Sequence, residues 1–71
     1  MIDRIVKIKK LGHYATAVIP HHRGGKQLVF GTSRNAHAMR FTEREALSML
    51  DQMRSRDIRS TDDVALIPTS R

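Results

Sequence analysis

The sequence predicts an α+β fold: a small antiparallel sheet in β-β-β-α-β order, with one amphipathic helix packed on one face. Three observations lead there. Three β-like runs are separated by glycine-containing turns, a helix signature with its own N-cap follows, and a short apolar run ending at Pro68 closes the chain. Ile2 to Lys9 is the first expected strand, because β-branched residues dominate and Val6, Lys7, Ile8 and Lys9 alternate apolar with polar. Lys9 to Gly12 makes a turn. Tyr14 to Ile19 is the second strand, ended by Pro20, which has no N–H for a ladder. His21 to Lys26 connects it to a third strand, Gln27 to Phe30, and the Gly24-Gly25 pair signals a hairpin. Residues 32–40 fit either a loop or an irregular edge strand around Ala36 to Met39.

The helix is expected from about residue 43 to 56. Thr42 and Glu45 have the spacing of a capping box, in which the hydroxyl and the carboxylate satisfy each other's backbone N–H. Glu43 and Glu45 lie in the first turn and Arg54 and Arg56 in the last, as the helix dipole favours. Ala46, Met49, Leu50 and Met53 cluster on one face, with Leu47 at its edge; Arg44, Ser48, Asp51, Gln52 and Ser55 fall on the other. Ile58 is expected to anchor the exit. Residues 60–63 form a turn, and Val64 to Ile67 form the last strand. Phe30 and Phe41 belong in the core. A chain of 71 residues holds one domain, 1–68, followed by a frayed tail, 69–71.

The formal net charge is +6. Its distribution is uneven: eight Lys/Arg and a single acid lie in residues 1–40, whereas five Arg and six acids lie in residues 41–71. All four histidines are in the basic part. A one-sign field of this kind concentrates polyanions and speeds encounter with them. Nucleic acid, or a protein that handles it, is the partner class this implies; a solubilising surface is the plainer alternative. The candidate partner- or nucleic-acid-binding residues are Arg4, Lys7, Lys9, Lys10, His21, His22, Arg23, Lys26, Arg34 and Arg40. In the His21–Lys26 loop, exposed backbone N–H groups beside Arg23 and Lys26 suit phosphate or carboxylate, though a plain hairpin turn has the same composition. Lys7, Lys9 and Lys10 make a basic stripe, or equally the lysines that protect an edge strand from aggregation.

Other chemistry is poorly supported. No nucleophile signature surrounds Ser33, Ser48 or His37, Glu43 and Glu45 are first-turn helix residues, and the glycine pair lacks the spacing of a phosphate loop. The chain reads as non-enzymatic, with no cofactor. Cysteine is absent, so thiol chemistry and disulfides are excluded, and His13, His21, His22 and His37 read as polar residues rather than a metal site. No apolar run approaches the roughly 18 residues of a membrane span, and charges at Asp3, Arg4, Lys7, Lys9 and Lys10 do not fit a signal peptide. A cytoplasmic location is therefore expected. Aromatic residues are 4% of the chain, too few for an array of base-stacking rings, and the helix carries as many acids as bases.

The β-hairpins, the segment Ala38-Met39-Arg40-Phe41-Thr42-Glu43-Arg44-Glu45-Ala46-Leu47 leading into one helix, and the short closing strand resemble small proteins encoded by phages of GC-rich bacteria. Arginine-rich usage in the second half fits such a genome. The resemblance implies a monomer when free that binds a host machine stoichiometrically. Within that group the chain looks most like regulators that bind bacterial RNA polymerase in the host cytoplasm and shift initiation or termination, with nucleic acid nearby or weakly bound. A direct, sequence-nonspecific DNA- or RNA-binding module and an anti-CRISPR inhibitor are the alternatives.

Overall fold

The computed structural model describes residues 4–32 and 37–69. Along the chain run β1 (Ile5–Lys10), β2 (His13–Pro20), β3 (Lys26–Phe30), the two-residue β4 (Phe41–Thr42), α1 (Glu43–Arg56) and β5 (Val64–Pro68). A small antiparallel sheet with one helix is the architecture. β1 is its middle strand. β5 pairs along one edge, from Val6 opposite Pro68 to Lys10 opposite Val64. The other edge is shared: β2 takes its C-terminal end (Lys9 opposite Tyr14, Lys10 opposite His13) and β4 its N-terminal end (Ile5 opposite Thr42, Val6 opposite Phe41). β3 continues the sheet beyond β2.

Val6 and Ile8 point from β1 into the core and are fully buried, with Ala15, Leu28, Phe41, Ala46 and Met49 around them. Met53 and Leu66 pack against this cluster. A bulge in β2 preserves the pattern. Ala15 faces Phe30 and Ala17 faces Val29, so two steps on β2 oppose one on β3. The extra residue, Thr16, inverts the alternation, which lets Ala15 and then Val18 both turn toward the core. The Thr16 hydroxyl donates to the Val29 carbonyl at 3.4 Å.

The helix spans the expected residues and carries the full capping box, with the Glu45 N–H donating to Thr42 Oγ1 at 3.1 Å and the Thr42 N–H to Glu45 Oε1 at 3.1 Å. Its buried face is centred on Ala46 and Met49; Leu50 is only half-buried, and Leu47 is 54% exposed.

Several expectations are corrected. Residues 37–40 have no regular structure, and pairing begins instead at Phe41–Thr42, where Phe41 enters the core and Thr42 passes directly into its role as helix cap. Ala36 lies outside the described residues. Ile58 anchors nothing: it is 77% exposed, and the exit is held by polar contacts, Lys10 Nζ to the Ser60 carbonyl at 3.0 Å and Arg54 Nε to Thr61 Oγ1 at 3.5 Å. Phe30 is half-buried while Phe41 is buried. β1 is not an edge strand, so its lysines cannot serve as edge protection. Thr69, placed in the tail, donates its N–H to the Ile5 carbonyl at 2.9 Å.

Met49→Ala is expected to cost about 2–5 kcal/mol, as for other buried truncations, and Leu50→Ala clearly less. Urea melts of the two variants compare them directly, and equal losses would move the centre of the helix's buried face.

Candidate functional site

The site grows from the β2–β3 turn. Gly24 and Gly25 take φ of +96° and +74°, a region that L side chains avoid. That geometry folds the turn back on itself: the His21 N–H donates to the Gly25 carbonyl at 3.0 Å, the Gly24 N–H to the His21 carbonyl at 2.9 Å, and the Arg23 N–H to His21 Nδ1 at 3.0 Å. The turn then leans on α1. Gln52 Oε1 accepts from the Lys26 N–H at 2.9 Å, and the Arg56 guanidinium donates to the carbonyls of Gly24 at 3.2 Å and Lys26 at 2.7 Å. A Cβ on Gly25 would lie 2.7 Å from Gln52 Oε1. Gly25 is therefore required twice, by its φ and by the helix.

These bonds revise the expectation of a backbone anion cradle. The N–H groups of His21, Arg23, Gly24 and Lys26 are already donated within the protein. Anion binding at this end falls to side chains.

Between the turn, α1 and residues 39–41 lies a groove of about 550 Å3. Val18, Phe41 and Met49 form its apolar floor, and Met39 stands half-exposed at its side. Lys26, Arg40 and Arg44 supply its positive charge, and Glu45 its carboxylate. The Glu45 carboxyl is held below its ordinary range, first by the Thr42 N–H, then by the Thr42 hydroxyl, with the Lys26 charge assisting. Around the corner, the His21 and His22 rings stack with centroids 4.4 Å apart. His21 is held below its ordinary value by loss of solvent in its half-buried position, and further by the charges of Arg56, His22 and Arg23. A neutral ring costs less among cations.

Of the sequence candidates, His21, His22, Arg23, Lys26 and Arg40 thus gather at one end. The others do not join them. Arg4 is paired with Glu43 at the helix N-terminus, through Nε at 3.0 Å and also through Nη2. The expected Lys7-Lys9-Lys10 stripe is divided: Lys10 reaches Ser60 on the core side, while Lys7 and Lys9 lie on the opposite face of the sheet beside Tyr14. Arg34 lies outside the described residues. Arg44 and Arg56 were missed, because the helical wheel puts Arg44 and Gln52 on the solvent side and only the leaning hairpin turns that flank into a wall.

Among the described residues no group of three or more His, Cys, Asp or Glu side chains is placed to hold a metal ion, and no helix is long and apolar enough to cross a membrane. Comparison of the chain with protein-family models, curated proteins and solved structures gives no match.

Two measurements follow from the turn and its charges. Gly25→Ala is expected to destabilise by about 1–3 kcal/mol, combining positive-φ strain with a weakened Gln52–Lys26 bond. Gly24→Ala, whose Cβ meets open space, should lose only the strain term; equal thermal shifts would refute the close approach. The folded-state value of His21 is depressed, so its contribution to stability is complete above the unfolded value of about 6.5. That contribution is lost as pH falls through the lower folded value. His21→Asn should flatten this part of the stability–pH curve, and an NMR titration of His21 at or above 6.5 would contradict the cationic surroundings.

Proposed function

We propose that this chain is a non-enzymatic regulatory protein that docks on an anionic surface of a host nucleic-acid machine, with bacterial RNA polymerase as the first candidate. The supporting observation is the convergence of Lys26, Arg40 and Arg44 from three separate segments onto one apolar-floored groove, with Arg23 and Arg56 beyond it. Apolar floor and cationic rim together suit an acidic protein segment that inserts a hydrophobic side chain; desolvated apolar contact supplies affinity and charge supplies rate and orientation. The action is steric: a bound protein of this size occludes a neighbouring site or narrows a nucleic-acid channel, changing initiation or termination. The choice of polymerase rests on the resemblance to phage regulators.

Purified RNA polymerase, treated with nuclease, should retain the wild-type protein in a pull-down. Lys26→Glu combined with Arg40→Glu should weaken retention at least roughly tenfold, since each replaces attraction by like-charge repulsion. Arg54→Glu with Arg59→Glu changes the net charge equally but away from the groove, and should mainly slow association. Equal losses in both double variants would reduce the groove to a share of the overall field. Capture of a CRISPR effector in place of polymerase would favour the inhibitor reading. Nanomolar, sequence-dependent binding to a bare duplex at about 0.15 M salt would favour the direct nucleic-acid binder.

A further inference from the structure

The face of the sheet opposite α1 carries a second site, independent of the groove and of the docking reading. Val6 and Ile8 point to the helix, so Ile5, Lys7 and Lys9 of β1 point away from it. The register places Tyr14 of β2 and Ala65 of β5 on either side of Lys9, and Ile67 of β5 beside Lys7. The ammonium groups of Lys7 and Lys9 lie 5.8 and 5.3 Å from the centre of the Tyr14 ring. No carboxylate stands among these six residues, and no described helix or strand packs over them.

We propose that this face binds single-stranded nucleic acid, with one base stacked on Tyr14 and the adjoining phosphates on Lys7 and Lys9. Each part has its reason. An aromatic ring on an open sheet accepts any base through its π-face. Two lysines on alternate residues of one strand are about 7 Å apart, a separation that successive phosphates of an extended strand can match. Ile5 and Ile67 add apolar surface for the sugar and base. A second copy of the chain fits poorly, because a face-to-face dimer would bring Lys7 and Lys9 against their own equivalents. Duplex DNA fits poorly too, since its bases are stacked within the helix and present edges rather than faces. The low aromatic content limits the site to one stacked base, so binding is weak and indifferent to sequence.

Tyr14 is the only tyrosine and there is no tryptophan, so tyrosine labelled with 13C gives one set of ring resonances that reports on this site alone. Titration of the full chain with a ten-nucleotide oligothymidylate at about 50 mM salt should move those resonances upfield, as stacking requires. Fluorescence anisotropy of a dye-labelled copy should give a dissociation constant in the micromolar range. Tyr14→Ala should weaken binding roughly 5- to 150-fold, the range for a stacked base, while Tyr14→Phe retains it. Lys7→Gln with Lys9→Gln should lower the slope of log K against log salt by about 1.4, or 0.7 for each phosphate contact in a single strand. Unmoved ring resonances, or an abasic oligomer that binds as tightly as oligothymidylate, would overturn the proposal. A shift produced by polyglutamate but not by the oligonucleotide would overturn it in favour of an acidic protein partner. The ring resonances need only the wild-type protein, so the test stands even if Tyr14→Ala does not fold. Loss of polymerase binding by the groove variants would leave all these readouts in place.

Discussion

A single extra residue in β2 shapes most of what surrounds it. Were Thr16 absent, β2 would alternate without interruption, and Val18 would turn outward while Ala17 turned in. The bulge keeps the large side chain inside and sharpens the local twist of the strand. β2 pairs with β1 over only two residues, Tyr14 and His13, before the bulge. The β2–β3 hairpin is then free to swing toward the helix, and the space vacated along β1 is filled by β4, whose Phe41 completes the core. The Met39 N–H bonds to the Ala15 carbonyl at 2.9 Å, stitching the incoming segment to β2 where the hairpin departs.

Once the hairpin leans on α1, its polar chemistry is fixed by satisfaction of backbone groups rather than by ligand binding. Gln52 and Arg56 together meet one N–H and two carbonyls of the turn. Leaving such groups unpaired is more expensive than the modest net gain of making the bonds. The outcome is that cations needed to hold the hairpin are brought close to cations at the turn itself. His21 stays neutral over a wider pH range as a result, since protonation would add a charge beside Arg56 and Arg23. Capping works similarly at the other end of the groove: the Thr42 bonds that start the helix also fix Glu45 as a charged carboxylate in its wall.

Legibility of the sequence follows the range of each interaction. The helix was readable to the residue because its start is a four-residue device, Thr42 to Glu45, with both partners close in sequence. The three long strands and the glycine turn were readable for the same reason. Thr16, in contrast, carries no local mark of a bulge, because the signal lies in Val29 and Phe30 across the hairpin. β4 is too short for periodicity to detect, and Phe41 could only be recognised as apolar. The basic stripe misled because alternation was not carried through to Lys10, which takes the core side and reaches Ser60, 50 residues away in sequence. Arg44 and Arg56 were assigned to a solvated flank, correctly by the helical wheel, but the wheel contains no information about a hairpin that docks there. Ile58 looked like an anchor only because it is apolar; the turn's own hydrogen bonds, from the Ser60 N–H to the Asp57 carbonyl and from the Asp62 N–H to the Arg59 carbonyl, leave it outside.

Separation of the two basic surfaces has a consequence for how they communicate. The smallest dimension of the molecule is 20 Å, and the groove and the open sheet face lie on opposite sides of β1. At physiological ionic strength the Debye length is about 8 Å, so charge on one side is felt little on the other. Filling the groove with an acidic segment would therefore leave the affinity of Lys7, Tyr14 and Lys9 almost unchanged. At about 0.01 M salt the Debye length grows to roughly 30 Å, longer than the protein is thick, and the two surfaces act as one field. Neutralising either then weakens attraction at the other. Coupling that disappears between low and physiological salt is the signature of communication through the field alone. Coupling that persists would require a mechanical path, and β1 supplies one: Lys9 on the open face and Ile8 in the core are adjacent in the same strand, whose pairing holds both β2 and β4.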